Sequence, residues 1–397
     1  MALGTYPEPV ISRFADREAA LLYFYWSGAG GYDCPWIEAD WKRKAEELLQ
    51  ECFGDALLPY AIKWLHSDLM LFFCAAAQQE ESGRFRRDLM LAARSYKQRL
   101  LELLSANQAR PPGMSLHAGS AFGILERGEA TGRRLHEMAR EAMQNGMNDG
   151  ALDDALRLGE LERLLERRAL RSVYQPIVDI RKQRPMGYEA LSRPLETDVF
   201  DGPLALFEFA ERAGKEYALD RLARERAISG SSRIGRGQKL FLNLSPRIID
   251  APQFAPWKTL ALLEAYGLTP DQVVFEITER SSIRDLGSVQ RVLAHYRNQG
   301  YRIAIDDVGA GYSSLASIVE LKPDYIKVDR SIVSGLHADT FKAHMLGTLV
   351  EAADRMGIGL IAEGVETRAE LDKLLQMGVH YAQGYYLGRP GRIGWHE

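Results

Sequence analysis

Cysteine is scarce: Cys34, Cys52 and Cys74 are the only three in 397 residues, and their spacing matches neither a zinc site nor a redox motif. They read as reduced structural thiols in a cytoplasmic protein. Long hydrophobic runs are also missing, since the best candidate, residues 56–77, is broken by Lys63, His66 and Asp68. No membrane span is therefore expected. The opening MALGTYPEPV has neither a basic stretch nor an apolar one, so it does not read as an export signal. Nor is there an excess of positive charge. Fifty Lys and Arg stand against 54 Asp and Glu, a net charge of -4, which excludes a globally basic binder of nucleic acid polymers.

What is present is a chain 46% hydrophobic and 26% charged, long enough for two domains and too apolar for disorder. From residue 240 a pattern recurs: a short β-branched or aromatic run, a polar residue, then a longer amphipathic stretch. The runs are 240–244, 273–277, 302–306, 325–328, 359–362 and 381–384, and 172–178 with 186–191 bring the candidates to eight. Helical patterns at 258–266, 289–299, 341–356 and 369–377 lie between them. Strands alternating with helices imply βα units, and eight within about 225 residues fit a closed β/α barrel. The link between the first two runs, 179–185, is too short for a helical crossover, so that pair should be antiparallel. The expectation is an α/β fold: an irregular (β/α)8 TIM-like barrel with one antiparallel strand.

Upstream, 153–171 reads as an amphipathic connecting helix. Residues 1–150 alternate strand-like runs (21–26, 69–74, 115–123) with helix-like ones (41–52, 85–104, 132–144), an α+β domain of ordinary size. The expected division is 1–150, a connector at 151–171, and 172–397.

The chemistry lies at the strand ends. Glu189, Asn243, Glu276, Asp306 with Asp307, Lys327, Glu363 and Gln383 each fall at or just past the C-terminal end of a different strand candidate. In a β/α barrel those ends converge on one rim. Carboxylates gathered there repel one another unless cations neutralise them, and an all-oxygen set suits Mg²⁺ or Mn²⁺. The neighbours Asp306 and Asp307 can lean toward two different metals, an arrangement suited to phosphodiester hydrolysis. Lys327 can orient the nucleophilic water or stabilise phosphate charge. Glu363 can serve as general base or as a further ligand.

At these residues the chain resembles the EAL family of cyclic di-GMP phosphodiesterases. The matching segments are YQPIVD from Tyr174, GYEALSRP from Gly187, LNLSP from Leu242, FEITE from Phe275, IDDVGAGYSSL from Ile305, DYIKVDR from Asp324, IAEGVE from Ile361 and AQGYYLGRP from Ala382. The resemblance implies metal-dependent hydrolysis of cyclic di-GMP to linear 5′-pGpG, with two Mg²⁺ or Mn²⁺ ions per active site. It makes Glu189, Asn243, Glu276, Asp306, Asp307 and Glu363 metal ligands, and Lys327, Glu363 and Glu189 the catalytic set. It makes Gln175, Arg193, Asp220 and Gln383 substrate contacts, and Glu279 the residue holding the loop after Asp307. A homodimer through this domain is likewise implied. The chain departs at Val308, where the family has Phe, and at Ala310. The alternative is a catalytically silent receptor for the same dinucleotide, signalling through the N-terminal domain.

Residues 20–150 resemble a degenerate GGDEF-like, diguanylate-cyclase-type domain. His66-Ser67-Asp68-Leu69-Met70 stands where GGDEF would be, without the glycines and the acidic pair that nucleotide and metal require. A regulatory domain without cyclase activity is implied.

Overall fold

The computed structural model describes residues 16–27, 39–75, 82–106, 115–125, 130–147, 151–245, 256–278, 286–309 and 314–394. They form two units, Met1–Arg167 with Thr197–Asp201, and Arg168–Glu196 with Gly202–Glu397.

The first unit is a four-stranded antiparallel sheet in the order β2-β3-β1-β4, with β1 Glu18–Ser27, β2 Ala61–Leu65, β3 Asp68–Cys74 and β4 Ser115–Ile124. Strand β1 is apolar on both faces because the sheet is covered on both. Ala20, Leu22 and Phe24 pack toward α1 (Ala39–Phe53) and α2 (Ser82–Ala106); Ala19 and Leu21 pack toward α3 (Ala130–Gly146). Strands β2 and β3 form a hairpin whose two-residue turn is His66 and Ser67, with Leu65 opposite Asp68 and His66 at φ 61°. The helix read as a connector, α4 (Ala151–Glu166), belongs to this unit: Arg87 of α2 lies 2.8 Å from its fully buried Glu160, which also pairs with Arg163. The thiols of Cys52 and Cys74 are unpaired and partly or fully buried; Cys34 lies outside the described residues.

The second unit is a closed eight-stranded barrel: β5 Leu170–Asp179, β6 Arg184–Pro194, β7 Lys239–Asn243, β8 Val273–Thr278, β9 Arg302–Val308, β10 Tyr325–Val328, β11 Gly359–Ala362 and β12 Tyr381–Ala382. As expected from the short 179–185 link, β5 is antiparallel to β6, and also to β12; every other neighbouring pair is parallel. Two helices, α5 (Pro203–Arg212) and α6 (Glu216–Ser229), join β6 to β7. Among the described residues the others are α7 (Pro256–Ala265), α8 (Leu286–Asn298), α9 (Ser314–Leu321), the single turn α10 (Arg330–Val333), α11 (Thr340–Met356) and α12 (Arg368–Gln376). Helix α11 ends at Gly357, whose φ of 68° only glycine adopts without steric cost. Helix α12 begins with a reciprocal cap between Thr367 and Glu370.

The barrel interior is built in layers. Ile177, Phe241, Val274, Ala304 and Ile361, with Tyr325 and Tyr381 against them, fill its lower part. Two residues further toward the rim, on the same strands or just past their ends, come Gln175, Asn243, Glu276, Asp306, Glu363, Lys327 and Gln383. A strand's period of two keeps both sets on one face, so the apolar plug is the floor of a polar cup.

Candidate active site

The cup is organised around Lys327. Its Nζ lies 2.7 Å from Glu363 Oε1, 2.9 Å from Glu276 Oε1, 3.1 Å from Asp306 Oδ1 and 3.3 Å from Glu189 Oε2, with only 1% of its side chain exposed. Burial works against the ammonium charge, yet the four surrounding carboxylates outweigh it and hold the lysine well above its usual value. The same burial acts on the acids. Glu276 is pushed well above the ordinary carboxylate range by desolvation, with Lys327 opposing and Glu189 and Asp306 adding to the shift. Glu363 is raised to about 8 by desolvation, again opposed by Lys327. Asp307 is raised to about 6 by desolvation and by the adjacent Asp306.

Two consecutive aspartates reach this site because of a break in the ladder. Ile305 pairs with Ile326 and Val308 with Val328, so Asp306 and Asp307 together stand opposite Lys327 alone. This is a β-bulge, and Asp307 takes a φ of 59°, a conformation Asp tolerates better than most residues. Its backbone N–H donates to Asp306 Oδ1 at 3.1 Å. Carboxylate oxygens of Asp306, Asp307 and Glu363 lie within 4.8 Å of one another, close enough to share a cation. Val308 follows, fully buried in the barrel wall.

The amides organise Glu189. Gln383 Nε2 donates to Glu189 Oε2 at 2.7 Å and to Gln175 Oε1 at 3.2 Å, while Asn243 Nδ2 reaches Glu189 Oε1 at 3.4 Å. Gln383 lies just past the two-residue β12 and is kept there by its backbone N–H to Ala362 and its carbonyl from Val365. Gln175 Nε2 donates in turn to the Gly388 carbonyl at 3.2 Å. The fold thus brings Glu189, Asn243, Glu276, Asp306, Asp307, Lys327, Glu363, Gln383 and Gln175 to one rim. A cleft of about 260 Å³ opens over it, lined by Gln175, Glu189, Asp306, Lys327, Glu363 and Gln383.

Two expected substrate contacts are not among the residues that line that cleft. Arg193 donates to its neighbour's carbonyl, Ser192 O, at 2.8 Å. Asp220 on α6 is buried against Arg224. Glu279 and Ala310 lie outside the described residues. Conversely, Arg330, Glu366 and Tyr385 line the mouth, with Arg330 and Glu366 paired at 3.0 Å. A reading confined to strand ends does not reach them, because they sit in the segments that follow the strands.

The donor set fits divalent cations. Five carboxylates face one ammonium, so four negative charges are uncompensated when all are ionised, and Oε2 of the buried Glu276 has no hydrogen-bond donor among the described residues. Oxygen donors with no thiolate or imidazole among them favour hard ions.

The EAL domain family model matches residues 158–390. The chain is 33% identical over 225 residues to the "Probable cyclic di-GMP phosphodiesterase PdeG" of Escherichia coli, covering 55% of this chain and 44% of that protein. It is 31% identical over 256 residues to the bifunctional diguanylate cyclase/cyclic di-GMP phosphodiesterase MucR of Pseudomonas aeruginosa, covering 62% and 37%. It thus spans less than half the length of either relative. Among solved structures, the PaMucR phosphodiesterase in its cyclic di-GMP complex superposes on 60% of this chain and 98% of its own, with a TM-score of 0.53 and 28% identity. Klebsiella pneumoniae BlrP1, in a calcium and cyclic di-GMP complex, overlaps 94% of this chain and 96% of its own at a TM-score of 0.52 and 23% identity, a likeness of fold alone. Matched by the family model over more than half its length, through the very strands that carry the carboxylate rim, this chain belongs to the EAL domain family.

Proposed function

We propose that the chain hydrolyses cyclic di-GMP to linear 5′-pGpG. The observation that carries this reading is Lys327, buried among four carboxylates whose charge exceeds its own, at the rim of a barrel of this family. Glu189, Asn243, Glu276, Asp306, Asp307 and Glu363 are the residues to hold two Mg²⁺ or Mn²⁺ ions, whose combined charge matches the uncompensated excess. Such ions, when bound, neutralise phosphate and acidify the attacking water.

The protein's own groups do the rest. Lys327 donates to the water and fixes its direction of attack on phosphorus, in line with the 3′-oxygen. Glu363, when ionised, accepts the water's proton. The phosphorus–O3′ bond breaks, the 3′-oxygen takes up a proton, and the product keeps a 5′-phosphate. Gln383 and Gln175 hold Glu189 in orientation. Arg193 takes phosphate as a fork donor, Asp220 takes a guanine edge, and Glu279 supports the loop after Asp307.

The first unit is a degenerate GGDEF-like regulatory domain without cyclase activity, supported by the hairpin that carries His66-Ser67-Asp68. The chain works in the cytoplasm as a homodimer. Among the described residues no helix is long and apolar enough to cross a membrane.

Incubating the purified chain with cyclic di-GMP and Mn²⁺ or Mg²⁺, and separating products by chromatography, tests the reading. Metal-dependent pGpG, abolished by chelator, is expected. Tight binding with no product in either metal would replace hydrolysis with the receptor reading.

A further inference from the structure

Arg224 is one turn beyond Asp220 on α6, and its guanidinium pairs with the Asp220 carboxylate through Oδ2. Neither side chain exposes more than 11% of its surface. The same guanidinium donates to Thr259 Oγ1 of α7 at 3.1 Å and lies 5.9 Å from the ring of Phe275, the β8 residue before Glu276. It also faces the Tyr296 hydroxyl of α8. One arginine therefore ties three outer helices to the strand that carries a rim carboxylate. An arginine in such a place needs a reason, because an apolar side chain of similar volume would fill the space without burying charge.

Asp220 supplies the reason. It is enclosed enough that desolvation drives its carboxyl toward the neutral form, opposed first by Arg224 and then by the Ser245 backbone N–H. Ser245 follows the end of β7, two residues past Asn243, so Asp220 sits beside the rim. A neutral carboxyl there presents one acceptor and one donor, whereas a carboxylate presents two acceptors, the complement of the N1–H and N2–H pair of guanine.

We propose that Arg224 is the positioning residue for base recognition: by holding Asp220 from Oδ2 it fixes the carboxylate in the orientation in which it accepts from the guanine edge. The inference rests on the reading of Asp220 as a base contact in cyclic di-GMP hydrolysis. Arg224 touches neither substrate nor metal, so its influence falls on substrate affinity and base selectivity rather than on the chemical step.

The test compares the full chain with Arg224→Met, Arg224→Lys, Asp220→Asn and the double variant, measuring kcat and KM in Mn²⁺ for cyclic di-GMP and for its inosine analogue, which lacks the 2-amino group. Arg224→Met should raise KM for the guanine substrate about tenfold or more while kcat stays within about twofold, and Arg224→Lys should recover part of the loss. The double variant should resemble Asp220→Asn alone, since the pair acts as a unit. The rise should be smaller for the inosine analogue. Thermal unfolding accompanies each variant; if Arg224→Met does not fold, the double variant, in which no charge is stranded, carries the comparison. An unchanged KM in Arg224→Met, or equal changes for both bases, or effects of Asp220→Asn and Arg224→Met that multiply, would overturn the assignment while leaving wild-type hydrolysis standing. A wild-type chain that neither binds nor hydrolyses the dinucleotide would overturn the underlying reading, and this inference with it.

Discussion

Lys327 Nζ lies 2.9 Å from Glu276 Oε1, and both side chains are shut off from solvent. Breaking a buried pair by removing one partner commonly costs about 3–5 kcal/mol. Here the stranded partners are four carboxylates, which can answer by taking up protons. Lys327→Met should therefore lower the unfolding temperature of the chelated chain more at pH 8 than at pH 6. Turnover should fall about a hundredfold or more, the scale of losing one donor aimed at the reacting groups. Near-normal pGpG production by this variant would remove Lys327 from the site.

The rim acids make the metal-free chain sensitive to alkali. Desolvation raises Glu363 from 4.5 to about 8 and Asp307 from 3.8 to about 6. A folded pKa above the unfolded one means that the folded state binds more protons, so the stabilisation is complete below about pH 4. It fades as the pH climbs, the Asp307 part gone past about 6 and the Glu363 part past about 8. In chelator the second unit should melt several degrees lower at pH 8.5 than at pH 5.5, and Mn²⁺ should abolish most of that difference. Melting that is flat across this range in chelator would show the cluster to be less enclosed than the geometry has it.

Glu276→Gln separates charge from shape. Glu276 is 1% exposed and one of its oxygens has no donor among the described residues. Burial already pushes Glu276 toward its neutral form, so with the neutral isostere in its place the chelated chain should be as stable as the parent, or more stable by up to about 1–2 kcal/mol. Its stabilisation by Mn²⁺, followed by thermal shift against metal concentration, should need at least about tenfold more metal. A variant that responds to Mn²⁺ like the parent would show that Glu276 is not a ligand.

The first unit should make no cyclic di-GMP from GTP. Its hairpin turns through His66 and Ser67 rather than glycines, and Asp68 beside that turn accepts a hydrogen bond from the Tyr23 hydroxyl. Burial pushes the Asp68 carboxyl up, a poor state for a metal ligand. Incubation with GTP and Mg²⁺, with products followed by chromatography, checks this; any cyclic dinucleotide formed would reverse it.

Much of the barrel could be read from sequence because its strands carry a strong local code. In β8, VVFEIT, every residue but Glu276 and Thr278 is apolar, so a lone acid near the strand's end marks the rim. The antiparallel start was legible from the length of one loop. The arrangement around Asp220 was not, because it depends on which helices follow β6. Residues 203–229 form two helices, and the i, i+4 spacing of Asp220 and Arg224 marks their pairing only once α6 is known to turn that face inward. The bulge was out of reach for a related reason. Adjacent Asp306 and Asp307 suggest two ligands, but their sharing of Lys327 as a cross-strand partner depends on register with β10, which a single strand does not encode.

That bulge yields a test separating backbone from charge. Asp307 holds φ at 59°, where a side chain with a plain Cβ pays about 1–2 kcal/mol and where Asn is as well tolerated as Asp. Asp307→Asn keeps the conformation and removes the carboxylate; Asp307→Ala removes the carboxylate and adds the steric cost. In chelator, Asp307→Asn should melt at or slightly above the parent, since the acid it replaces is one that burial pushes to about 6. Asp307→Ala should melt a few degrees lower. With Mn²⁺ present both should lose turnover alike, because the bulge without its second carboxylate holds an incomplete cation site. If Asp307→Asn kept its activity and only Asp307→Ala lost it, the strained backbone rather than the charge would be what the site requires.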